Sequence, residues 1–290
     1  MIFTYGFSTV GSSHIKTGTV CQDANKAIKL DNGIVVAAIA DGVGSCQFSD
    51  VASSIAVEIA LRVCSDEIGA NENCDLIMII EKAFTQAERE IDNHSLALNH
   101  LITDYDTTLS LAIYDGKRIT YGHCGDGGII GLTSDGDYLK ITSPQRAEGL
   151  YVVPLRAGKD AWVFGTVEEE LACVLLATDG IYDMFFPYLL KGQPVEIYVP
   201  LIRYFMDNNV LGVSEETIDA IGKEREEYLN GEACASITDD KTILVLINGS
   251  AHLKKKEDNY YKEPDWDALQ FEWNKKAYPH LYQKKDDVNQ

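Results

Sequence analysis

Residues 33–60 read GIVVAAIADGVGSCQFSDVASSIAVEIA. An unbroken apolar run from Ile34 to Ala40 stops abruptly at Asp41-Gly42-Val43-Gly44. A run this short and this apolar reads as a strand buried on both faces. Beyond the break, Val51, Ile55, Ile59 and Val63 recur every four residues with Ala52, Ala56 and Ala60 beside them. That period predicts an amphipathic helix from Asp50 to about Cys64, capped by Ser49 or Asp50. Asp41 at the strand end has two readings. Short polar residues and glycine are ordinary turn chemistry, and catalytic groups also gather on loops held by a rigid scaffold. One aspartate does not choose between them.

Working outward, IFTYGFSTV (2–10) alternates as a strand, GSSHIKTGTVCQD (11–23) reads as a polar loop, and ANKAIKL (24–30) as a second strand. Asp31-Asn32-Gly33 then turns the chain into the 34–40 strand as a hairpin. Leu76, Ile80, Ala83, Phe84, Ala87 and Ile91 set out a second helix. Residues 107–142 carry strands broken by YDGK and SDGD, both tight-turn sequences, and read as an antiparallel meander. ACVLLATDG (172–180) and TDDKTILVLIN (238–248) are further strands, and SEETIDAIGKEREEYLN (214–230) is helical with Ser214 as cap. Hairpin-built sheets with inserted helix pairs indicate α+β layers rather than a doubly wound parallel sheet. One domain is expected over 1–248. Residues 249–290 change to lysine clusters and aromatics and are expected to be a tail that packs on the domain or on a partner, with Trp266, Phe271 and Trp273 spaced for one helical face.

The bulk composition narrows the function. Of 290 residues, 46% are hydrophobic and 24% charged, which suits a globular protein with a sizeable core. No stretch is apolar for long enough to span a membrane, and the N-terminus lacks the pattern of a signal peptide, so a cytoplasmic location with no membrane partner is expected. The 7 cysteines are scattered and never spaced C-x-x-C, so they read as reduced thiols and not as a disulfide framework or zinc site. A net charge of -20 repels phosphate backbones and argues against a nucleic-acid partner. The same carboxylate surplus supplies hard oxygen ligands of the kind Mg²⁺, Mn²⁺ or Ca²⁺ prefer.

Five acidic punctuations stand at strand edges: Asp23 in CQDA, Asp41 in IADGVGS, Asp126 in HCGDGG, Asp179 in LATDGIYD, and Asp239-Asp240 in ITDDKT. Carboxylates from separate strand ends, flanked by glycines and without a soft ligand, are what a dinuclear site for hard cations needs. In order and spacing, QDA, ADGVGS-x4-D-x-AS, TT-x-SL, CGDGG, ATDGIYD and DDKTILVL resemble the motifs of the metal-dependent Ser/Thr protein phosphatases, the PPM or PP2C-type family, particularly its small bacterial members.

The resemblance covers nearly all of residues 1–248. It implies a four-layer α-β-β-α sandwich of two antiparallel sheets flanked by helices. It implies a hydrolase that cleaves phosphomonoesters of phosphoserine or phosphothreonine proteins with a metal-activated water at a Mg²⁺ or Mn²⁺ pair, and a cognate Ser/Thr kinase as counterpart. Carried over by residue, Asp41 bridges the two ions, Gly42 offers its carbonyl to the first, and Asp179 and Asp239 hold the second. Asp23 acts through water, and Asp126 with Asp179 holds a weaker third ion. Two positions depart from the pattern. Val43 replaces the histidine of well-known eukaryotic members, and the phosphate-gripping arginine has no counterpart, leaving His14 and Lys16 as candidate phosphate contacts. Asp240 replaces the usual asparagine and either contacts a ligand's water or sits in the turn. Those departures motivate an alternative, a catalytically weak pseudophosphatase that binds or regulates a kinase. Arg146 and Arg156 fall in the region where members carry a flap beside the cleft.

Overall fold

The computed structural model describes residues 1–71, 74–148, 151–207 and 211–282. The chain opens with β1 (Ile2–Thr9), the short α1 (Ser12–Thr17), and the hairpin of β2 (Asp23–Lys29) and β3 (Val35–Asp41). Two long helices follow, α2 (Ser49–Ala70) and α3 (Leu76–Ala97), and then β4 (Leu109–Tyr114), β5 (Ile119–Cys124), β6 (Gly128–Thr133) and β7 (Tyr138–Lys140). The second half comprises β8 (Val163–Val167), β9 (Leu171–Ala177), α4 (Asp179–Phe185), α5 (Val199–Met206), α6 (Glu215–Asn230), β10 (Lys241–Asn248), α7 (Trp266–Ala277) and α8 (Pro279–Tyr282).

The strands form two five-stranded sheets, ordered β1-β10-β9-β6-β7 and β2-β3-β4-β5-β8, and every pairing is antiparallel. Alternation of side chains along each strand assigns the layers. On β3, Val36, Ala38 and Ala40 pack with Ala56, Leu61, Ile80 and Phe84 of α2 and α3, whereas Val35, Ala37 and Ile39 face the other sheet. On β10, Leu244 and Leu246 meet that inter-sheet layer, and Ile243, Val245 and Ile247 pack under α4, α5 and α6. The result is the expected α-β-β-α sandwich.

The structure departs from the sequence reading at several elements. The 107–142 segment is not one meander: β4 and β5 pair in one sheet, β6 and β7 in the other, and the chain crosses between sheets at Gly125-Asp126-Gly127. The polar loop after β1 contains α1, whose first amides are anchored by Ser12 N–H to the Ile237 carbonyl and Ser13 N–H to the Thr238 carbonyl. Helix α2 begins at Ser49 with Phe48, which has no side-chain acceptor, at the cap, and Ser49 Oγ donates to the Cys46 carbonyl. Helix α6 does carry the Ser214 cap, reciprocated by Thr217. Strand β8 and helices α4 and α5 were not anticipated, being too short to show a period.

After β10 the chain runs back over the α4–α6 side of the sandwich. Lys256 Nζ pairs with Asp137 at 2.7 Å, Tyr260 stacks on Tyr138, and the Arg203 guanidinium lies 4.2 Å over the Tyr261 ring. Within α7, Trp266 meets Tyr198 and Trp273 meets Tyr188, but Phe271 is 52% exposed and touches Tyr282. Seven residues are about two helical turns, whereas five overshoot one turn by about 140°, so Phe271 leaves the face shared by the tryptophans. All 7 cysteines are unpaired. Among the described residues no helix is long and apolar enough to cross a membrane.

Candidate active site

Strand register brings the first two acids together. Asp23 opens β2 and Asp41 closes β3, and the antiparallel pairing sets them opposite each other. In the facing sheet β9 and β10 are antiparallel neighbours, so Asp179, just after β9, and Asp239, just before β10, leave the sheet at the same end. Asp126 arrives from the crossing between β5 and β6. Acids far apart in the chain therefore share one end of the sandwich.

The backbone at Asp41 is held from three directions. Asp41 N–H donates to Thr108 Oγ1 at 2.8 Å, and its carbonyl accepts from Thr107 Oγ1 at 2.9 Å and from Thr108 N–H at 2.8 Å. The next residue, Gly42, donates its N–H to the Gln22 carbonyl at 3.1 Å. A Cβ at Gly42 would lie 2.6 Å from the Ser49 carbonyl oxygen and 2.8 Å from that of Gln22, so close backbone approach requires glycine there. Gly44 has room for a side chain, and the exit toward α2 does not depend on it. Thr107 and Thr108 were visible as the TT-x-SL motif, but their role appears only once the β3–β4 pairing is known.

One carboxylate oxygen from each of Asp41, Asp126 and Asp179 lies within 4.8 Å of the others. Those three line a cavity of about 90 Å³ together with Gly42, Val43, Gly44, Thr108, Val152 and Asp239. Asp239 thus faces the same cavity without belonging to the tight trio. Asp23 lies behind it: Oδ2 accepts from Thr178 Oγ1 at 2.9 Å, while Oδ1 is buried with no partner. Asp179 Oδ1 is likewise buried and unpartnered. Burial first, and then the surrounding carboxylates, push Asp41 well above the usual carboxylate range and Asp179 up to about 6. Burial raises Asp23 to about 7 against the hydrogen bonds of Thr242 and Thr178.

A single basic side chain, among the described residues, pairs with the trio. Arg146 places Nε 3.5 Å from Asp126 Oδ2 and Nη2 3.9 Å from Asp179 Oδ2 and 3.0 Å from Asp183 Oδ2. Arg156 instead forms a bidentate pair with Asp106, 2.7 Å at each bond, and the Asp106 carbonyl receives Val43 N–H. Of the candidate phosphate contacts, His14 directs Nδ1 to Asp240 at 2.9 Å, and Lys16 is exposed on α1. Neither lines the acidic cavity.

Crowded, partly desolvated carboxylates, with two orphaned oxygens and one partly exposed guanidinium beside them, ionise reluctantly unless a positive charge enters among them. A divalent cation with oxygen preference fits this donor set, which holds no thiolate or imidazole.

Comparison with known proteins agrees with the geometry. A family model described as Protein phosphatase 2C matches residues 10–209. Serine/threonine-protein phosphatase 3 of Escherichia coli (strain K12) is 24% identical over 257 residues, spanning 82% of this chain and 95% of that protein. A bacterial serine phosphatase of known structure superposes with a TM-score of 0.59 at 13% identity, covering 88% of this chain and 100% of that one. The catalytic domain of the serine threonine protein phosphatase PstP, solved in complex with 2 manganese ions, gives 0.58 at 19% identity over 85% and 97% of the two chains.

Proposed function

The chain belongs to the protein phosphatase 2C family, and from that premise we propose that it is a Mg²⁺- or Mn²⁺-dependent phosphatase of phosphoserine and phosphothreonine in proteins. The observation that carries this reading is the convergence of Asp41, Asp126 and Asp179 to within 4.8 Å, with Asp239 facing the same cavity. Asp41, the Gly42 carbonyl, Asp179 and Asp239 would hold a pair of ions, and Asp126 with Asp179 a third. Bound divalent ions supply charge neutralisation for the phosphate dianion and acidify water for in-line attack at phosphorus.

The chain's own residues provide the rest. The Thr107–Thr108 clamp fixes where the Asp41 carboxylate leaves the strand. Asp23 Oδ1, buried and without a protein partner, is suited to hold a water beside the acidic cavity. Val43 offers no proton, so water held at the ion site would have to supply the proton for the leaving alkoxide. Arg146, 33% exposed, sits at the cavity edge where a phosphate would enter. Residues 1–248 constitute the catalytic unit, and the segment after 248 is laid over its α4–α6 side. Unpaired cysteines accord with a reducing cytoplasm. The phosphorylated substrate requires a Ser/Thr kinase as the opposing activity.

The test is phosphate release from a phosphothreonine peptide. With Mn²⁺ the purified chain is expected to turn over, and Asp41→Ala or Asp239→Asn to lose more activity than the roughly 100-fold that losing an outer partner of a metal ligand can cost. A folded protein inert with both Mn²⁺ and Mg²⁺ would overturn the assignment.

A further inference from the structure

Asp240, beside Asp239, is 2% exposed, yet its charge is fully engaged. Oδ1 accepts the Gly11 N–H at 2.7 Å and faces His14 Nδ1 at 2.9 Å, and Oδ2 accepts the Gln22 N–H at 2.6 Å. With Nδ1–H as the donor, His14 is the third group that hydrogen-bonds to this carboxylate. The network continues on both sides. The Gln22 carbonyl receives Gly42 N–H at 3.1 Å and Ser53 Oγ at 2.6 Å, while the Asp240 N–H donates to Asp239 Oδ1 at 2.9 Å. Gly11 packs so tightly here that a Cβ would lie 2.3 Å from the Asp239 carbonyl carbon.

Asp240 therefore connects Asp239, just before β10 in one sheet, to Gly42, beyond β3 in the other, through the backbone N–H and carbonyl of one residue, Gln22. We infer that Asp240, with His14 as its partner, is a positioning residue that fixes Asp239 and Gly42 relative to each other across the two sheets. The inference rests on the metal-dependent reading above and deepens it. It gives His14 a role through Nδ1 that needs no contact with phosphate. The chemistry is that of a charge-assisted cluster: three donors converge on one buried anion, and loss of the anion strands them. Asparagine at 240 keeps the volume but must turn an NH₂ group toward at least one of those donors.

The experiment is calorimetric titration of the full chain with Mn²⁺, alongside near-ultraviolet circular dichroism to establish folding. Asp240→Asn is expected to weaken Mn²⁺ binding by roughly 10- to 100-fold, the range for outer partners of metal ligands, and to leave KM for an aryl phosphate at saturating Mn²⁺ unchanged. His14→Ala should weaken binding by about tenfold, and His14→Asn, whose amide nitrogen stands where Nδ1 stood, should restore it. If Asp240→Asn fails to fold, the His14 pair decides. The inference falls if Asp240→Asn binds Mn²⁺ as wild type does, or if His14→Asn is as impaired as His14→Ala. A folded wild-type chain that binds neither Mn²⁺ nor Mg²⁺ overturns the metal-dependent reading itself, and the brace falls with it.

Discussion

At the scale of single residues, the acids carry a pH signature. Without a bound cation, Asp23 titrates at about 7 and Asp179 at about 6, both raised chiefly by burial. In the unfolded chain these groups lose their protons near pH 4. Between about pH 4 and 7 the folded state therefore holds more protons than the unfolded one, and stability declines as pH rises through that window. The ion-free protein is expected to melt at lower temperature at about pH 7.5 than at about pH 5, and saturating Mn²⁺ should raise the melting temperature most at the higher pH. A melting temperature that climbs with pH in chelator would contradict this arrangement. The aspartates were legible in the sequence because each punctuates an apolar run beside a turn. Arg146 was visible only as one of two flap arginines, since its pairing with Asp126 and Asp179 depends on how a loop folds over the cavity. Asp240 reads in the sequence as sitting in a turn or contacting a ligand's water, and its hydrogen bonds from Gly11 N–H and Gln22 N–H emerge only from the tertiary fold.

Elements show where pattern reading ends. Period and length located the two long helices, and α3 adds a cap that periodicity alone did not reveal: Asp75 Oδ1 accepts from Ile77 N–H at 2.9 Å and Met78 N–H at 3.2 Å. Asp75→Ala is expected to lower stability by about 1 kcal/mol in urea denaturation and to leave Mn²⁺ affinity unchanged, because α3 supplies no residue to the acidic cavity. A change in affinity would show that the helix couples to the site. The strands between 109 and 140 were also recognised, but alternation along a strand identifies its two faces and not the sheet it joins. That choice is tertiary. It places Asp126 at a crossing between sheets, so the element that was misread is the one that delivers a candidate ligand.

At the scale of the whole molecule, the segment after β10 covers the outer face of one sheet. Leu253, Tyr260 and Tyr261 pack against the core beneath α4–α6, and Tyr198 Oη donates to Glu263 at 2.7 Å. A chain ended at Asn248 is expected to melt measurably lower than the full chain and to keep Mn²⁺ binding, since none of the cavity residues lies beyond Asp239. An unchanged melting temperature would mean that this covering adds nothing to stability. Hairpins and helix pairs indicate α+β layers and the family resemblance implies the sandwich, whereas the contacts of the aromatic segment are foreseen only as packing on the domain or on a partner.

The position of β10 has one more consequence. It lies between β1 and β9, pairing Ile2 with Asn248 on one side and Ala177 with Ile243 on the other, although it is the latest strand in the described chain. A polypeptide leaving the ribosome has already exposed Asp23, Asp41, Asp126 and Asp179 while the slot beside β1 is still empty. The nascent protein thus waits for its closing strand before Asp239 and Asp240 can join the others, so the lining of the acidic cavity is completed only after β10 has emerged.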